Sequence, residues 1–287
     1  MQILHDVPRL RRARAAWRQD HACVALVPTM GNLHDGHLAL VRQARGLADR
    51  LVVSIFVNPL QFDRPEDLAA YPRTLEADCR RLEGEGVDAV FAPADAQIYP
   101  RGRENITRVE VPVISELLEG AHRPGHFTGV ATVVCKLFHL VEPDVAVFGE
   151  KDFQQLMLIR RMVADLDLPV RVEAGATVRE ADGLALSSRN AYLTPEERAR
   201  APALYRVLQD LGDRLRGSPA PDPAALEQEG VKALEISGLR PDYVAVRRRE
   251  DLLPPQEGDR HLVVLGAAWL GRARLIDNLA VDLPAQG

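Results

Sequence analysis

Apolar residues collect in short unbroken runs along the N-terminal two-thirds of the chain. The runs are "CVALVPT" (23–29), "RLVVSIFVN" (50–58), "VDAVFAP" (87–93), "DVAVFG" (144–149) and "VRVEAGA" (170–176). Each is too short for a helix and too continuous for a strand with one wet face, so each predicts a strand buried on both sides. Between them lie stretches whose apolar positions recur about every 3.6 residues: "HLALVRQARGLADR", "TLEADCRRLEGEG" and "DFQQLMLIRRMVADL". The N-terminal segment reads as a short strand and a first helix. Buried strands alternating with helices predict a Rossmann-like, doubly wound parallel sheet with helices on both faces.

The alternation holds to about residue 178, and then the texture changes. "VREADGLALSS" places Asp182-Gly183 between two short runs, a hairpin signal. Thr194, Pro195 and Glu197 in "TPEER" spell a capped helix start. "GSPAPDPAA" (217–225) reads as a Pro-rich connector, and "DYVAVRR", "HLVVLGAAWL" and "ARLIDNLAV" as closing strands. The expected division is an N-terminal Rossmann-like domain, 1–178, and a smaller C-terminal α+β domain, 179–287.

Composition narrows the function classes. The 287 residues are 46% hydrophobic and 27% charged, with a formal net charge of −5. That balance is globular, and it argues against a nucleic-acid partner, which selects a basic face. No apolar run reaches the roughly 20 residues needed to span a bilayer, so no membrane role is expected. Cys23, Cys79 and Cys135 are far apart and form no C-x-x-C pair, which points to reduced thiols in a cytoplasmic protein.

Chemistry-bearing residues cluster where strands end. "TMGNLHDGH", "NPLQF" and "GEKDFQQ" each follow a predicted strand, and open parallel sheets bind ligands outside the carboxyl ends of their strands. Read singly, the first is a Gly-rich turn, the second a turn starter and the third a solvated helix start. Their coincidence at one sheet edge points to a ligand. Gly31 and Gly36 allow close backbone approach. A helix starting near Asp35 turns its N–H groups and positive dipole end outward, with His34 and His37 neighbours on its first turn. That combination suits a polyphosphate. Lys151 is a cation at another helix start, where its charge opposes the dipole, and an anionic ligand is the reason to keep it there. Gln61 and Gln155 can each donate and accept, which suits a small substrate bearing hydroxyls and a carboxylate. "SSRN" (187–190) offers hydroxyls and a guanidinium to phosphate oxygens. "EGAHRPGHFTG" (119–129), with Arg123 and His126, reads as a mobile flap.

These segments are also familiar as a set. "VPTMGNLHDGH", "SIFVNPLQFDRPEDLAAYPRTLEAD", "RPGHFTGVATVV", "FGEKDFQQL", "LALSSRNAYLT" and "AAWLGRARLIDN" resemble the pantothenate synthetase family, the pantoate–β-alanine ligases, along nearly the whole chain. Cys135 and His139 in "VVCKLFHLV", and Ala191 after "SSRN", depart from the family pattern, and none lies on an expected contact. The resemblance implies ATP-dependent condensation of (R)-pantoate with β-alanine to pantothenate, AMP and diphosphate through a pantoyl adenylate, with Mg2+, in a homodimer built through the N-terminal domain. It implies that Met30, Gly31, Asn32, Leu33, His34, Asp35, Gly36 and His37 line the ATP site, with His37 the catalytic acid and His34 beside it. Gly149, Glu150, Lys151, Asp152, Val178, Leu186, Ser187, Ser188 and Arg189 complete that site, with Lys151 on the α-phosphate. Gln61 and Gln155 hold pantoate, Gln61 also lying by the β-alanine position. The ligands of Mg2+ are not assigned. Two other readings fit parts of the pattern: another adenylate-forming nucleotidyltransferase of the same superfamily, including a class I aminoacyl-tRNA synthetase fragment, and a non-catalytic nucleotide sensor.

Overall fold

The computed structural model describes residues 1–62, 64–217 and 222–284. The chain opens with β1 (Gln2–Leu4), α1 (Val7–Gln19), β2 (Val24–Thr29), α2 (Asp35–Arg45) and β3 (Arg50–Ile55). A 3-10 turn, Pro59–Gln61, precedes α3 (Pro65–Ala70), α4 (Leu75–Glu83), β4 (Ala89–Phe91), α5 (Asp95–Ile98) and α6 (Glu119–His122). Next come α7 (His126–Val141), β5 (Val145–Gly149), a 3-10 turn over Glu150–Asp152, α8 (Phe153–Asp165) and β6 (Arg171–Gly175). A 3-10 turn, Ser188–Tyr192, leads to α9 (Pro195–Arg200), α10 (Ala203–Gly217), α11 (Pro223–Ile236), β7 (Arg240–Arg248), β8 (His261–Leu270) and β9 (Ala273–Asp282).

Residue contacts group the chain into two compact units: Met1–Glu150 with Gln154–Ala176, and Lys151–Phe153 with Thr177–Gly287. The first holds a six-stranded sheet in the order β1-β4-β3-β2-β5-β6, with every pairing parallel. Val24, Ala25, Leu26 and Val27 of β2 are fully buried, which is why that run shows no alternation. The order reverses between β2, which leads outward through β3 and β4, and β5, which leads the other way. The crevice beyond the C-terminal ends of β2 and β5 is therefore the topological switch point, where such sheets bind ligands. Helix α2 packs over β5 and β6. Gly175 makes room for it, since a Cβ there would sit 2.1 Å from the Leu40 side chain.

The second unit has a three-stranded antiparallel sheet, β7-β8-β9, with α10 and α11 packed against it. Leu204, Leu208, Leu211, Val246 and Val264 belong to its core. The capped helix start is in place: the Thr194 hydroxyl accepts from the Glu197 N–H at 3.2 Å, and the Glu197 carboxylate accepts from the Thr194 N–H at 2.9 Å. The expected hairpin is reduced to an isolated antiparallel bridge between Arg179 and Ala185. Gly183 turns it at φ 93°, and the chain then leaves for the 3-10 turn instead of extending the ladder. The Pro-rich connector lies partly outside the described residues.

Candidate functional site

The loop between β2 and α2 is held in shape before any ligand arrives. Gly31 (φ 81°) and Asn32 (φ 53°) take left-handed conformations, which turn the chain sharply out of β2. The Thr29 hydroxyl donates to the Ser54 carbonyl at 2.8 Å and accepts from the Gly31 N–H at 3.2 Å. The main clamp comes from α4. The Asp78 carboxylate, only 2% exposed, accepts from the Asn32 N–H at 2.9 Å, the Leu33 N–H at 2.8 Å and the Thr74 hydroxyl at 3.0 Å. One turn on, Arg81 donates to the Leu33 carbonyl at 2.9 Å and lies 3.6 Å from exposed Asp35. Hydrogen bonds to a buried charge contribute roughly 1.5–3 kcal/mol each, whereas an exposed ion pair contributes about 0–1 kcal/mol. Asp78 therefore fixes this loop, and the Arg81–Asp35 pair is secondary.

His34 caps α2 in an extended conformation. Its N–H donates to His37 Nδ1 at 3.3 Å, and the two rings lie 4.1 Å apart, tilted by 42°. With Nδ1 accepting, a neutral His37 carries its proton on Nε2. Both rings are half-buried at the N-terminal end of α2, where the helix dipole and outward N–H groups favour an anion. The α2 start thus offers a hydrogen-bond donor on an imidazole beside a positive helix end.

Asn58 and Gln61 follow β3 in the same unit. Asn58 is buried and caps the 3-10 turn, accepting from the Leu60 N–H at 3.3 Å. It donates to Gln61 Oε1 at 3.0 Å and to the Gly129 carbonyl at 3.1 Å. Gln61 Nε2 lies 3.1 Å from Met30 Sδ, so the structure brings the first two predicted loops together. Gly129 is required for this. A Cβ there would fall 2.3 Å from the Leu60 carbonyl oxygen and 2.9 Å from the Gln61 nitrogen, so only glycine lets α7 approach the turn. Gln155 is half-buried in the first turn of α8, next to buried Gln154. Gln154 accepts from the Glu119 N–H at 3.0 Å and donates to the Ile114 and Leu117 carbonyls at 2.7 Å. The Gln61 carbonyl accepts from Arg123 and His126 at 3.1 and 2.8 Å. Segment 119–129, read from its glycines as a mobile flap, is therefore tied down at both ends by buried amide contacts.

The remaining predicted residues divide between the units. Gly149 ends β5 and exposed Glu150 follows it in the first unit. In the second unit, Lys151 and Asp152 occupy the 3-10 turn ahead of α8, and Asn278 Nδ2 donates to the Lys151 carbonyl at 3.0 Å. Lys151, Ser187, Asn190, Tyr205 and Asp277 line one crevice there. Ser187 caps its 3-10 turn, accepting from the Arg189 N–H at 3.2 Å, and Asn190 donates to the Ala185 carbonyl at 3.0 Å. The crevice floor is rigid: Arg179 holds Asp277 through bonds of 2.6 and 2.9 Å and stacks on Tyr205, with its guanidinium carbon 3.4 Å from the ring centre. Val178 and Leu186 flank the Arg179–Ala185 bridge, the Leu186 N–H donating to the Val178 carbonyl at 2.9 Å. The Arg189 side chain is exposed.

Comparison with known proteins settles the family. A sequence model described as pantoate-beta-alanine ligase matches residues 2–280. The chain belongs to the pantoate–β-alanine ligase family. It is similar to pantothenate synthetase of Thioalkalivibrio sulfidiphilus (64% identity over 100% of both chains), and to that of Nitrosococcus oceani (56% identity over 99% of each). Among solved structures it is similar to pantothenate synthetase from Thermus thermophilus, with a TM-score of 0.88, 48% identity, and 97% and 99% of the two chains covered. It is also similar to pantoate-beta-alanine ligase from Francisella tularensis complexed with beta-gamma ATP and beta-alanine, with a TM-score of 0.81, 34% identity, and 97% of each chain covered. Within this pantoate–β-alanine ligase, the expected fold class holds, and neither a different nucleotidyltransferase nor a sensor is favoured.

The sequence did not single out Asp78, Gly129, Gln154 or a role for Asn58 beyond turn initiation. Asp78 sits among Glu76, Arg80 and Arg81, where an acidic residue reads as helix surface. A buried carboxylate serving backbone N–H groups leaves no periodic trace.

Proposed function

We propose that this pantoate–β-alanine ligase joins (R)-pantoate to β-alanine in two steps, adenylation of the pantoate carboxylate by ATP and then amine attack on the acyl adenylate, releasing AMP. The observation that carries the reading is the prearranged His34–His37 loop at the β2/β5 switch point of a chain that matches the family over residues 2–280. The first step brings an anionic carboxylate against an anionic α-phosphate, so the protein must neutralise charge before it can orient the pair. The α2 N-terminus and His37 Nε2–H are placed to receive phosphate oxygens, with His34 beside them and Met30–His37 lining the nucleotide. Lys151 supplies positive charge at the α-phosphate. Gly149, Glu150, Asp152, Val178, Leu186, Ser187, Ser188 and Arg189 complete the nucleotide site. Gln61 and Gln155 hold pantoate, with β-alanine entering beside Gln61.

Among the described residues no group of three or more His, Cys, Asp or Glu side chains is arranged to hold a metal. The family resemblance implies Mg2+, and a Mg2+ ion carried on nucleotide phosphates keeps several waters and needs few protein ligands. When bound it would offset phosphate charge, and no protein ligand is assigned to it. The cytoplasm is the proposed location, supported by three free thiols, all pushed up by burial. Among the described residues no helix is long and apolar enough to cross a membrane. The proposed assembly is a homodimer, as the family resemblance implies.

The direct test supplies ATP, (R)-pantoate and β-alanine together. Pantothenate and AMP in equal amounts are expected. ADP as the nucleotide product, or equal turnover with an α-amino acid in place of pantoate, would overturn the reading.

A further inference from the structure

The amides behind Met30 can be oriented by exclusion. The Gly129 carbonyl can only accept, so the Asn58 atom 3.1 Å from it is the nitrogen. The Leu60 N–H can only donate, so the Asn58 atom 3.3 Å from it is the oxygen. The second hydrogen on Asn58 Nδ2 then faces Gln61 at 3.0 Å, and the atom it meets must be the acceptor, Oε1. This leaves Gln61 Nε2 against Met30 Sδ at 3.1 Å, a weak acceptor that a better one displaces readily. The Tyr99 hydroxyl, 2.7 Å from Asn58 Oδ1, completes the chain as a donor. Burial raises the Tyr99 phenol above its ordinary range, so it stays protonated. Asn58, Tyr99 and Gln61 are 1%, 4% and 9% exposed, and polar groups this deeply buried keep their hydrogen-bond partners. The Gln61 backbone is fixed as well, its carbonyl held by Arg123 and His126.

We infer that Tyr99 and Asn58 are positioning residues that hold Gln61 with its amide N–H2 group outward, so that this glutamine recognises the acid substrate by donating to an oxygen on it. The inference rests on the proposed assignment of Gln61 to pantoate and adds the polarity of the contact. A carboxylate or a hydroxyl lone pair satisfies it. A substrate group that can only donate at that position is rejected.

Two variants and one spectrum test this in the full chain. Gln61→Glu keeps the shape and the bond to Asn58 but turns an acceptor outward. At neutral pH its kcat/KM for pantoate should fall on the order of 10²-fold with the KM for ATP unchanged. Activity relative to wild type should partly return as pH is lowered and the carboxyl regains a donating proton. Tyr99→Phe should raise the pantoate KM about five- to tenfold, as for one neutral hydrogen bond, with kcat and the ATP KM within about twofold. Nuclear Overhauser spectra with labelled glutamine side chains and methionine methyls should show the Gln61 amide protons beside the Met30 methyl. Near-normal pantoate kinetics in Gln61→Glu, equal losses for ATP and pantoate in Tyr99→Phe, or no Gln61–Met30 cross-peak would each overturn the inference. A wild-type chain that shows the cross-peak but makes no pantothenate would instead refute the functional reading and leave the orientation standing.

Discussion

At the scale of single residues, charge and hydrogen-bond polarity separate function from folding. Lys151 is a half-buried side chain on the lining of a crevice, outside the hydrophobic core of its unit. Lys151→Ala should therefore unfold at nearly the parent temperature while pantoate-dependent pyrophosphate–ATP exchange falls on the order of 10²-fold or more, the usual cost of removing a preorganised charge contact. Exchange at the parent rate would refute its role. Asp78 behaves oppositely. Asp78→Ala strands two backbone N–H groups, so urea unfolding should show a loss of roughly 2–4 kcal/mol. ATP affinity should fall with it, because the His34–His37 loop loses its clamp. A variant of unchanged stability would show that Asp78 does not hold the loop. The histidines were legible in sequence because glycines and a strand flank them. Asp78 was not, because its neighbours on α4 are charged and solvated, and a helix-face pattern cannot tell a carboxylate that serves a loop from one that faces water.

At the scale of elements, the approach of α7 to the Pro59–Gln61 turn is the most sensitive packing in the first unit. Gly129→Ala places a methyl against backbone atoms, which cannot rotate away. The expected cost is about 1–3 kcal/mol or more, seen as a lower melting temperature together with a raised pantoate KM, since the displaced turn carries Gln61. A lower melting temperature with an unchanged pantoate KM would separate the turn from the substrate. Strands β2 to β5 were readable because burial on both faces leaves continuous apolar runs. Strand β6, also expected to be buried on both sides, is instead an edge strand with Arg171 exposed and only Gly175 fully covered, as its Arg171 and Glu173 interruptions allow. Helix α7 was harder to read for the mirror-image reason: residues from Phe127 to Val141 are buried almost all round, so the 3.6-residue stripe disappears. The Asp182-Gly183 turn formed as its residues dictate, but ladder length depends on partners elsewhere in the second unit, which local sequence does not reveal. Gln154 shows the same limit. Adjacent glutamines look alike in sequence, yet buried Gln154 is consumed in holding segment 114–119, while half-buried Gln155 is the one proposed for pantoate.

At the scale of the whole molecule, the proposed nucleotide contacts are drawn from both compact units. If both sets reach one ATP molecule, ligand binding should draw the C-terminal unit in as a lid and exclude water from a labile anhydride. Small-angle scattering of the saturated protein, with a non-hydrolysable ATP analogue and pantoate, should give the mass of a dimer and a smaller radius of gyration than the free protein. A monomeric mass would refute the assembly, and an unchanged radius the closure. The central claim, however, concerns which phosphorus the carboxylate attacks. The chain contains no G-x-x-x-x-G-K-[ST] sequence of the type that serves γ-phosphoryl transfer, and the proposed reaction directs the carboxylate to the α-phosphorus. The most direct measurement uses pantoate labelled with heavy oxygen in its carboxylate, ATP and β-alanine, with mass spectrometry of the products. A pantoyl adenylate transfers one labelled oxygen to AMP, and that is the predicted result. Unlabelled AMP, or ADP with the label in inorganic phosphate, would contradict it.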